Sequence, residues 1–251
     1  MLQSPDLDTG TKRRLAAAIV ILLAWSTLSG TLLKPLFAFD WITQIPYARS
    51  LIITVIDIVL LSSAIALIAK RWSHAGLVGL PNHMLMWALA VFVPVIIIAA
   101  LASPFNAQVT LSQWLWLVLA SPISEEVFYR GLALATLVMW CSWPRWLAYL
   151  VPAAMFGLAH AGQGNGWQDA LGIAAITGAG SYFFGWTMLR WQSLWPAIIL
   201  HVGMNGLWNA FALGENAIGG WLGNGLRLWI LAAAILLTLR WAPKLASTGK
   251  P

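Results

Sequence analysis

The sequence predicts an all-α polytopic membrane protein, a bundle of about eight transmembrane helices. Hydrophobic residues make up 60% of the 251-residue chain and charged residues only 9%, whereas a soluble domain carries roughly a quarter of its residues charged. The apolar residues fall in runs long enough to cross a bilayer. Only short polar or turn-prone segments separate those runs, so we expect one membrane domain over residues 1–251 rather than several domains.

Windows of about 19 residues locate the predicted spans in order along the chain. They lie at 15–37, 51–69, 84–103, 111–139, 146–162, 168–189, 194–212 and 222–241. The first span follows Lys12, Arg13 and Arg14 and so resembles a signal peptide, but its apolar run is long and no clear small-x-small cleavage site follows it. We therefore expect this span to be retained.

The basic residues predict which side of the membrane each loop faces, because short cytoplasmic loops are enriched in lysine and arginine. With the N-terminus inside, Lys34 and Arg49 are the two basic residues on the outer side. The inner side holds Lys12, Arg13, Arg14, Lys70, Arg71, Arg145, Arg190, Arg240, Lys244 and Lys250. An even number of spans returns the C-terminus to the inner side. We expect both termini in the cytoplasm and the chain in the cell inner membrane.

The same basic residues argue against nucleic acid as a partner, despite a formal net charge of +6. They are scattered singly between apolar runs and are not clustered with aromatic residues. The expected partner at this level is the lipid bilayer, and the sequence gives no oligomeric state.

A few ionisable residues remain at membrane depth, where each costs roughly 2.5 to 3.5 kcal/mol on insertion scales and is therefore a functional candidate. They are Asp57, Glu125, Glu126, Arg130, His160, His201 and Arg227. For Asp57 we favour a role as a hydrogen-bonding contact between helices. Arg227 lies close enough to the end of a span for its side chain to snorkel toward the interface.

The stretch "SPISEEVFYRGLAL", residues 121–134, holds three of these candidates. Glu126 and Arg130 are four residues apart on one helix face, which predicts an ion pair. Glu125 is rotated about 100° from Glu126 and must face something else. The alternative is that all three residues form one buried stabilising cluster.

Two later spans supply possible partners for Glu125. "FGLAH" places Phe156 four residues before His160, and "HVGMN" places His201 four residues before Asn205. Glu125 with His160 can activate a water molecule, while His201 and Asn205 can donate hydrogen bonds to a developing oxyanion.

Metal binding is the alternative for the same residues. Two histidines and a carboxylate can also hold a divalent metal such as zinc, by ligand type alone. The His-Glu-x-x-His helix of soluble zinc proteases is absent from the sequence, so this alternative lacks its usual motif. No other cofactor is expected.

The three motifs, in this order on an eight-span chain, resemble the CPBP family of intramembrane proteases. They are Glu-Glu-x-x-x-Arg with its "FYRG" ending, Phe-x-x-x-His and His-x-x-x-Asn, within a motif-bearing core over residues 111–212. The family includes the type II CAAX prenyl endopeptidases and proteins linked to bacteriocin processing and immunity, also known as the Abi family.

The resemblance implies an intramembrane endopeptidase that acts on membrane-associated or lipidated peptide substrates. It implies that Glu125 and His160 activate the hydrolytic water and that His201 and Asn205 stabilise the oxyanion. Glu126 and Arg130 are implied to hold the site together. The resemblance leaves open whether the enzyme is of the glutamate type or metal-dependent. An active protease needs a cavity between the fourth, fifth and seventh spans.

Two other classes of function use intramembrane carboxylates and histidines. A proton-coupled transporter is one, although the hydropathy pattern is not duplicated along the chain as inverted repeats require. A membrane protein that binds a toxic peptide and gives immunity without cutting it is the other. Protection of cells that survives Glu125→Ala would favour this binding function.

Overall fold

The computed structural model describes residues 5–37, 39–72, 76–77, 79–211, 213 and 218–243. Lys244 and Lys250, which entered the orientation argument, lie outside the described residues. Over the described part the chain forms eight long helices, with a single isolated bridge between Phe105 and Phe211 as its extended pairing. The helices are α1 Thr9–Leu32, α2 Ala48–Ala69, α3 Met84–Ala102, α4 over residues 111–139, α5 Arg145–His160, α6 Trp167–Trp191, α7 Trp195–Ala210 and α8 Trp221–Trp241.

These helices confirm the predicted all-α membrane fold and its number of helices. Four of them, α1, α2, α3 and α8, are long and apolar enough to cross a membrane by length and composition. Helices α5 and α7 have 16 residues each, fewer than the roughly 20 that span a hydrocarbon core. Large apolar side chains project from the outer faces, with Leu67 79% and Leu101 85% exposed, as expected of lipid-facing surfaces.

The boundaries of α1 differ from the prediction at both ends. The helix begins at Thr9 rather than at residue 15, because the Asp8 side chain accepts a hydrogen bond from the Thr11 amide and caps the helix. It ends at Leu32 rather than at residue 37, since the chain tightens into a 3₁₀ turn, Lys34–Phe37, that contains Pro35. The basic start of α1 is therefore helical.

Helix α4 is continuous but not uniformly α-helical. Its order is Leu111–Gln113 (α), Trp114–Ala120 (π), Ser121–Glu125 (α), Glu126–Leu134 (π) and Ala135–Met139 (α). Hydrogen bonds from residue i to i+5 widen each π turn, and such turns often occur at functional sites. Glu125 and Glu126 lie where the central α segment meets the second π stretch.

Two buried apolar clusters build the bundle. One is formed mainly by α1, α2, α4 and α5, with Ile19, Leu61 and Leu137 fully buried. The other is formed mainly by α3, α6, α7 and α8, and includes Val91 and Met188. Because α7 also packs against α4, the candidate site residues on α4 and α5 meet those on α7 where the two clusters join.

Close backbone approach fixes α5 against α6. A Cβ atom on Gly157 would overlap the carbonyl oxygen of Ala174, and one on Gly178 would lie 3.2 Å from the carbonyl oxygen of Ala153. Small residues let membrane helices approach this closely. The contact sets the position of the C-terminal turn of α5, which carries His160.

Candidate active site

Glu125, His160 and His201 meet at the junction of α4, α5 and α7. Glu125 Oε2 lies 3.9 Å from His160 Nε2 and 3.8 Å from His201 Nε2. The expectation that Glu125 faces both histidines is therefore confirmed. The side chains of Glu125 and His160 are 23% and 20% exposed, so the group is partly open although it lies within the bundle.

Ser121 fixes the orientation of the Glu125 carboxylate. Its hydroxyl donates a 2.6 Å hydrogen bond to Glu125 Oε1. Glu125 Oε2 is buried and has no hydrogen-bond partner among the described residues. One carboxylate oxygen is therefore held by the protein, while the other is left facing the two imidazoles.

Hydrogen bonds at the Nδ1 atoms determine how each histidine presents its Nε2. His160 Nδ1 lies 2.8 Å from the Phe156 carbonyl oxygen, and His201 Nδ1 lies 2.7 Å from Glu126 Oε1. Because both partners are acceptors, each Nδ1 carries the proton. In the neutral imidazoles the two Nε2 atoms are then acceptors, so that three acceptor atoms converge on one point.

Glu126 and Arg130 form the predicted ion pair, which is buried beside the two histidines and lines neither cavity. Arg130 Nη1 lies 2.9 Å from Glu126 Oε1, and the two side chains are 1% and 0% exposed. The same carboxylate oxygen accepts from His201. Helical phase suggested that only Glu125 would approach His201, but a π turn rotates successive residues by less than 100°, which allows both glutamates to contact it.

Aromatic rings surround the guanidinium of Arg130. Its Cζ lies 4.5 Å from the centre of the Phe156 ring and 5.5 Å from that of Phe184. Arg130 Nε and Nη2 have no hydrogen-bond acceptor among the described residues, so the rings stabilise the cation through their faces. Phe156 contacts the site twice, through this ring and through the carbonyl that accepts from His160.

Asn205 lies one turn after His201 on α7. Its Nδ2 donates a 2.8 Å hydrogen bond to the carbonyl oxygen of Leu117, which lies in the first π stretch of α4. A carboxamide nitrogen has two N–H donors, and this bond uses one of them. Asn205 thus tethers α7 to α4 and keeps a donor beside the site.

Two cavities share Glu125 and His160 as part of their walls. The first, here called cavity 1, has a volume of about 610 Å³ and extends between α1, α2 and α4. The second, cavity 2, has a volume of about 530 Å³ and is lined by α4, α5, α6, α7 and α8. Cavity 2 confirms the cavity predicted between α4, α5 and α7, and α6 and α8 line it as well.

The two remaining membrane-depth candidates differ in outcome. Asp57 is buried and accepts hydrogen bonds from Trp25 Nε1 at 3.1 Å and from Ser29 Oγ at 2.9 Å, both on α1. Its interpretation as a contact between helices is confirmed, and Asp57 also lines cavity 1.

The snorkelling interpretation of Arg227 stays a prediction, and its side chain reaches back toward the start of α8. Its Nη1 donates to Asn224 Oδ1 and to the carbonyl oxygen of Ile218, and its Cζ lies 4.9 Å from the centre of the Trp208 ring. These contacts hold Arg227 in the wall of cavity 2.

The donor set of Glu125, His160 and His201 suits a divalent metal chemically. Within the described ranges, no group of three or more His, Cys, Asp or Glu side chains is arranged to hold a metal ion. The separations of 3.8 and 3.9 Å are instead those of polar atoms with a water molecule between them.

The fold and the site together define an integral membrane protein with a glutamate and two histidines at its centre. Residues 106–207 match the family model described as type II CAAX prenyl endopeptidase Rce1-like. This match agrees with the resemblance of the motifs over that part of the chain, and the matched family implies protease activity. The comparisons with curated proteins and with solved structures found no match.

Proposed function

We propose that this protein is an intramembrane endopeptidase that hydrolyses peptide bonds of membrane-associated or lipidated peptides. The observation that carries the proposal is the convergence of Glu125 Oε2, His160 Nε2 and His201 Nε2 on one point. That point lies beside a wall shared by two cavities, each within the usual size range of ligand sites. A peptide bond at this point can therefore be reached from either cavity.

Glu125 and His160 are the pair that activates water in this proposal. A water molecule between Glu125 Oε2 and His160 Nε2 donates one hydrogen bond to each atom and directs its oxygen lone pair at the scissile carbonyl carbon. Glu125 takes the proton as the C–O bond forms, and then gives it to the amine as the C–N bond breaks. The Ser121 hydrogen bond to Oε1 supports this role, because it leaves Oε2 as the reacting oxygen.

His201 and Asn205 stabilise the oxyanion. Since the Nδ1 proton of His201 is already bonded to Glu126, donation from Nε2 requires the imidazolium form. The second N–H of the Asn205 amide is the other donor, and fixed donors of this kind commonly contribute about 10²- to 10³-fold to the rate.

Glu126 and Arg130 act through His201 rather than on the substrate. Their side chains are almost completely buried and line neither cavity. The ion pair orients Glu126, so that its carboxylate can hold His201 against the substrate side. Glu126 and Arg130 are therefore positioning residues in this mechanism.

The location and orientation that we propose follow from the basic residues of the loops. We infer that the protein lies in the cell inner membrane with both termini in the cytoplasm, as the lysine and arginine bias favours. Cavity 2 contains apolar side chains such as Phe183, Met204 and Leu231, which supports an apolar or acyl-bearing segment as the part of the substrate bound there.

The test uses the full-length protein in proteoliposomes with an N-acylated mixed-sequence peptide library in H₂¹⁸O. We expect new C-termini that carry ¹⁸O, detected by mass spectrometry, and none with Glu125→Gln. Cleavage should persist in the presence of a chelator. Products without ¹⁸O, or equal turnover by Glu125→Gln, would overturn the mechanism, and a chelator loss restored by zinc would assign water activation to a metal.

A further inference from the structure

Arg49 is a cation in the same cavity as the site carboxylate. It lies in the first turn of α2, is half-buried, and lines cavity 1 together with Glu125 and His160. Among the residues that the structure describes, none forms an ion pair or a hydrogen bond with the guanidinium of Arg49. The mechanism proposed above makes no use of it.

Two further observations indicate that Arg49 has a role in cavity 1. Arg49 is one of two basic residues that the loop charge bias leaves on the outer side, so the rule that accounts for the inner basic residues does not account for it. The other side chains of cavity 1 include hydroxyl and phenol groups, such as Thr54 and Tyr47. Cavity 1 is therefore suited to a polar segment, and Arg49 is its cation, whereas Asp57 and Glu125 are the acidic side chains of its lining.

We propose that Arg49 binds a carboxylate of the substrate segment that occupies cavity 1. The inference rests on the proposed protease function and adds a specificity residue to it. Guanidinium groups form two parallel hydrogen bonds with carboxylates, which orients the bound group as well as attracting it. The carboxylate is either the C-terminal one or an acidic side chain, and both have the same chemistry at Arg49.

The geometry gives this contact a consequence for where the chain is cut. Glu125 and Arg49 line one cavity of about 610 Å³, which accommodates only a short extended segment. A carboxylate held at Arg49 therefore lies a few residues from the bond that faces Glu125. The acyl or apolar part of the substrate then extends past Glu125 and His160, which line both cavities, into cavity 2.

The experiment separates binding from cleavage and uses N-acylated peptide libraries made as free acids and as C-terminal amides. Binding is measured on Glu125→Gln and on Glu125→Gln/Arg49→Gln, and cleavage on wild type and on Arg49→Gln. We expect a preference for the free acid of about 10- to 100-fold, abolished by Arg49→Gln in both assays. Preference for Asp or Glu within the amidated library, abolished in the same way, would identify a side-chain carboxylate as the source.

Arg145→Gln is the matched control, because Arg145 is exposed and lines neither cavity. It should retain the acid preference. Wild type that prefers neither the free acid nor Asp or Glu within the amidated library, or a preference that survives Arg49→Gln, would overturn the role of Arg49 and leave the protease function standing. Acid-selective binding through Arg49 without any cleavage would overturn the protease function and leave the Arg49 site standing.

Discussion

The two adjacent glutamates of α4 occupy opposite kinds of environment. Glu126 is fully buried, and one of its oxygens bonds Arg130 and His201 together. Glu125 is partly exposed, lines both cavities and turns its Oε2 toward the two imidazoles. Each glutamate has one oxygen without a hydrogen-bond partner among the described residues, so the difference lies in exposure and in what each carboxylate faces. The same functional group is therefore a structural acceptor at one position and a reactive base at the next, and the surrounding atoms decide which.

Glu125→Gln tests most directly whether Glu125 is the reactive base. The amide retains the shape of the side chain and can still accept from Ser121, but it cannot take a proton from water. We expect kcat/KM to fall by at least about 10³-fold, while the thermal unfolding midpoint in detergent stays close to that of wild type. A large loss of thermal stability would mean that Glu125 is structural, like Glu126.

Glu126→Gln should have the converse effect, on stability. It leaves Arg130 charged and buried without its counter-ion, which costs about 3–5 kcal/mol of unfolding free energy. Chemical unfolding in detergent measures this. The double variant Glu126→Gln/Arg130→Met removes both charges and should recover part of the loss. If Glu126→Gln were as stable as wild type, the structural role of Glu126 in the buried ion pair would be contradicted.

Gly157→Ala tests the close contact between α5 and α6 that positions His160. The added methyl overlaps the carbonyl oxygen of Ala174, so α5 must move away from α6 and carry His160 with it. We expect a loss of about 1–3 kcal/mol in stability, together with a decrease in kcat. Gly225→Ala is the control, since nothing lies within 4 Å of a Cβ at that position. Equal behaviour of the two variants would show that the α5–α6 contact is not tight.

Ser121→Ala should give the smallest effect. Without the hydroxyl, both oxygens of Glu125 are free to rotate, and we expect kcat to fall by about 10-fold with little change in stability. Ser121→Thr should restore most of the activity. Ser124→Ala is the matched control, because the Ser124 hydroxyl bonds the Ser121 carbonyl and not a carboxylate. An equal loss in both serine variants would remove Ser121 from the site.

The sequence was sufficient for the parts of the molecule that depend on composition and spacing. Apolar runs predicted the eight helices, four-residue spacing predicted the Glu126–Arg130 pair, and the helical phase of Glu125 predicted that it faces away from that pair, toward other partners. Ser121 was missed although it lies four residues before Glu125, the same spacing that identified the ion pair. Its hydroxyl carries no charge, so it was not counted among the costly groups.

Other features depend on packing between helices and could not be predicted from local sequence. The π turns of α4 have no residue signature of their own, so the contact between Glu126 and His201 was not expected. The contact of Arg227 with the Trp208 ring, which comes from another helix, was also not expected. The division of the site between two cavities likewise requires the arrangement of all the helices around it.

The two π stretches of α4 make the length of the segment between them a functional constraint. A wide turn can absorb the loss of one residue by becoming an ordinary turn. The α segment Ser121–Glu125 between the two stretches has no such reserve, so loss of one residue there would rotate Glu125 by about 100° relative to the helix before it. Glu125 would then point away from His160 and His201, although every side chain of the site remained. One-residue insertions and deletions in this segment should therefore be tolerated less well than many substitutions at the same positions.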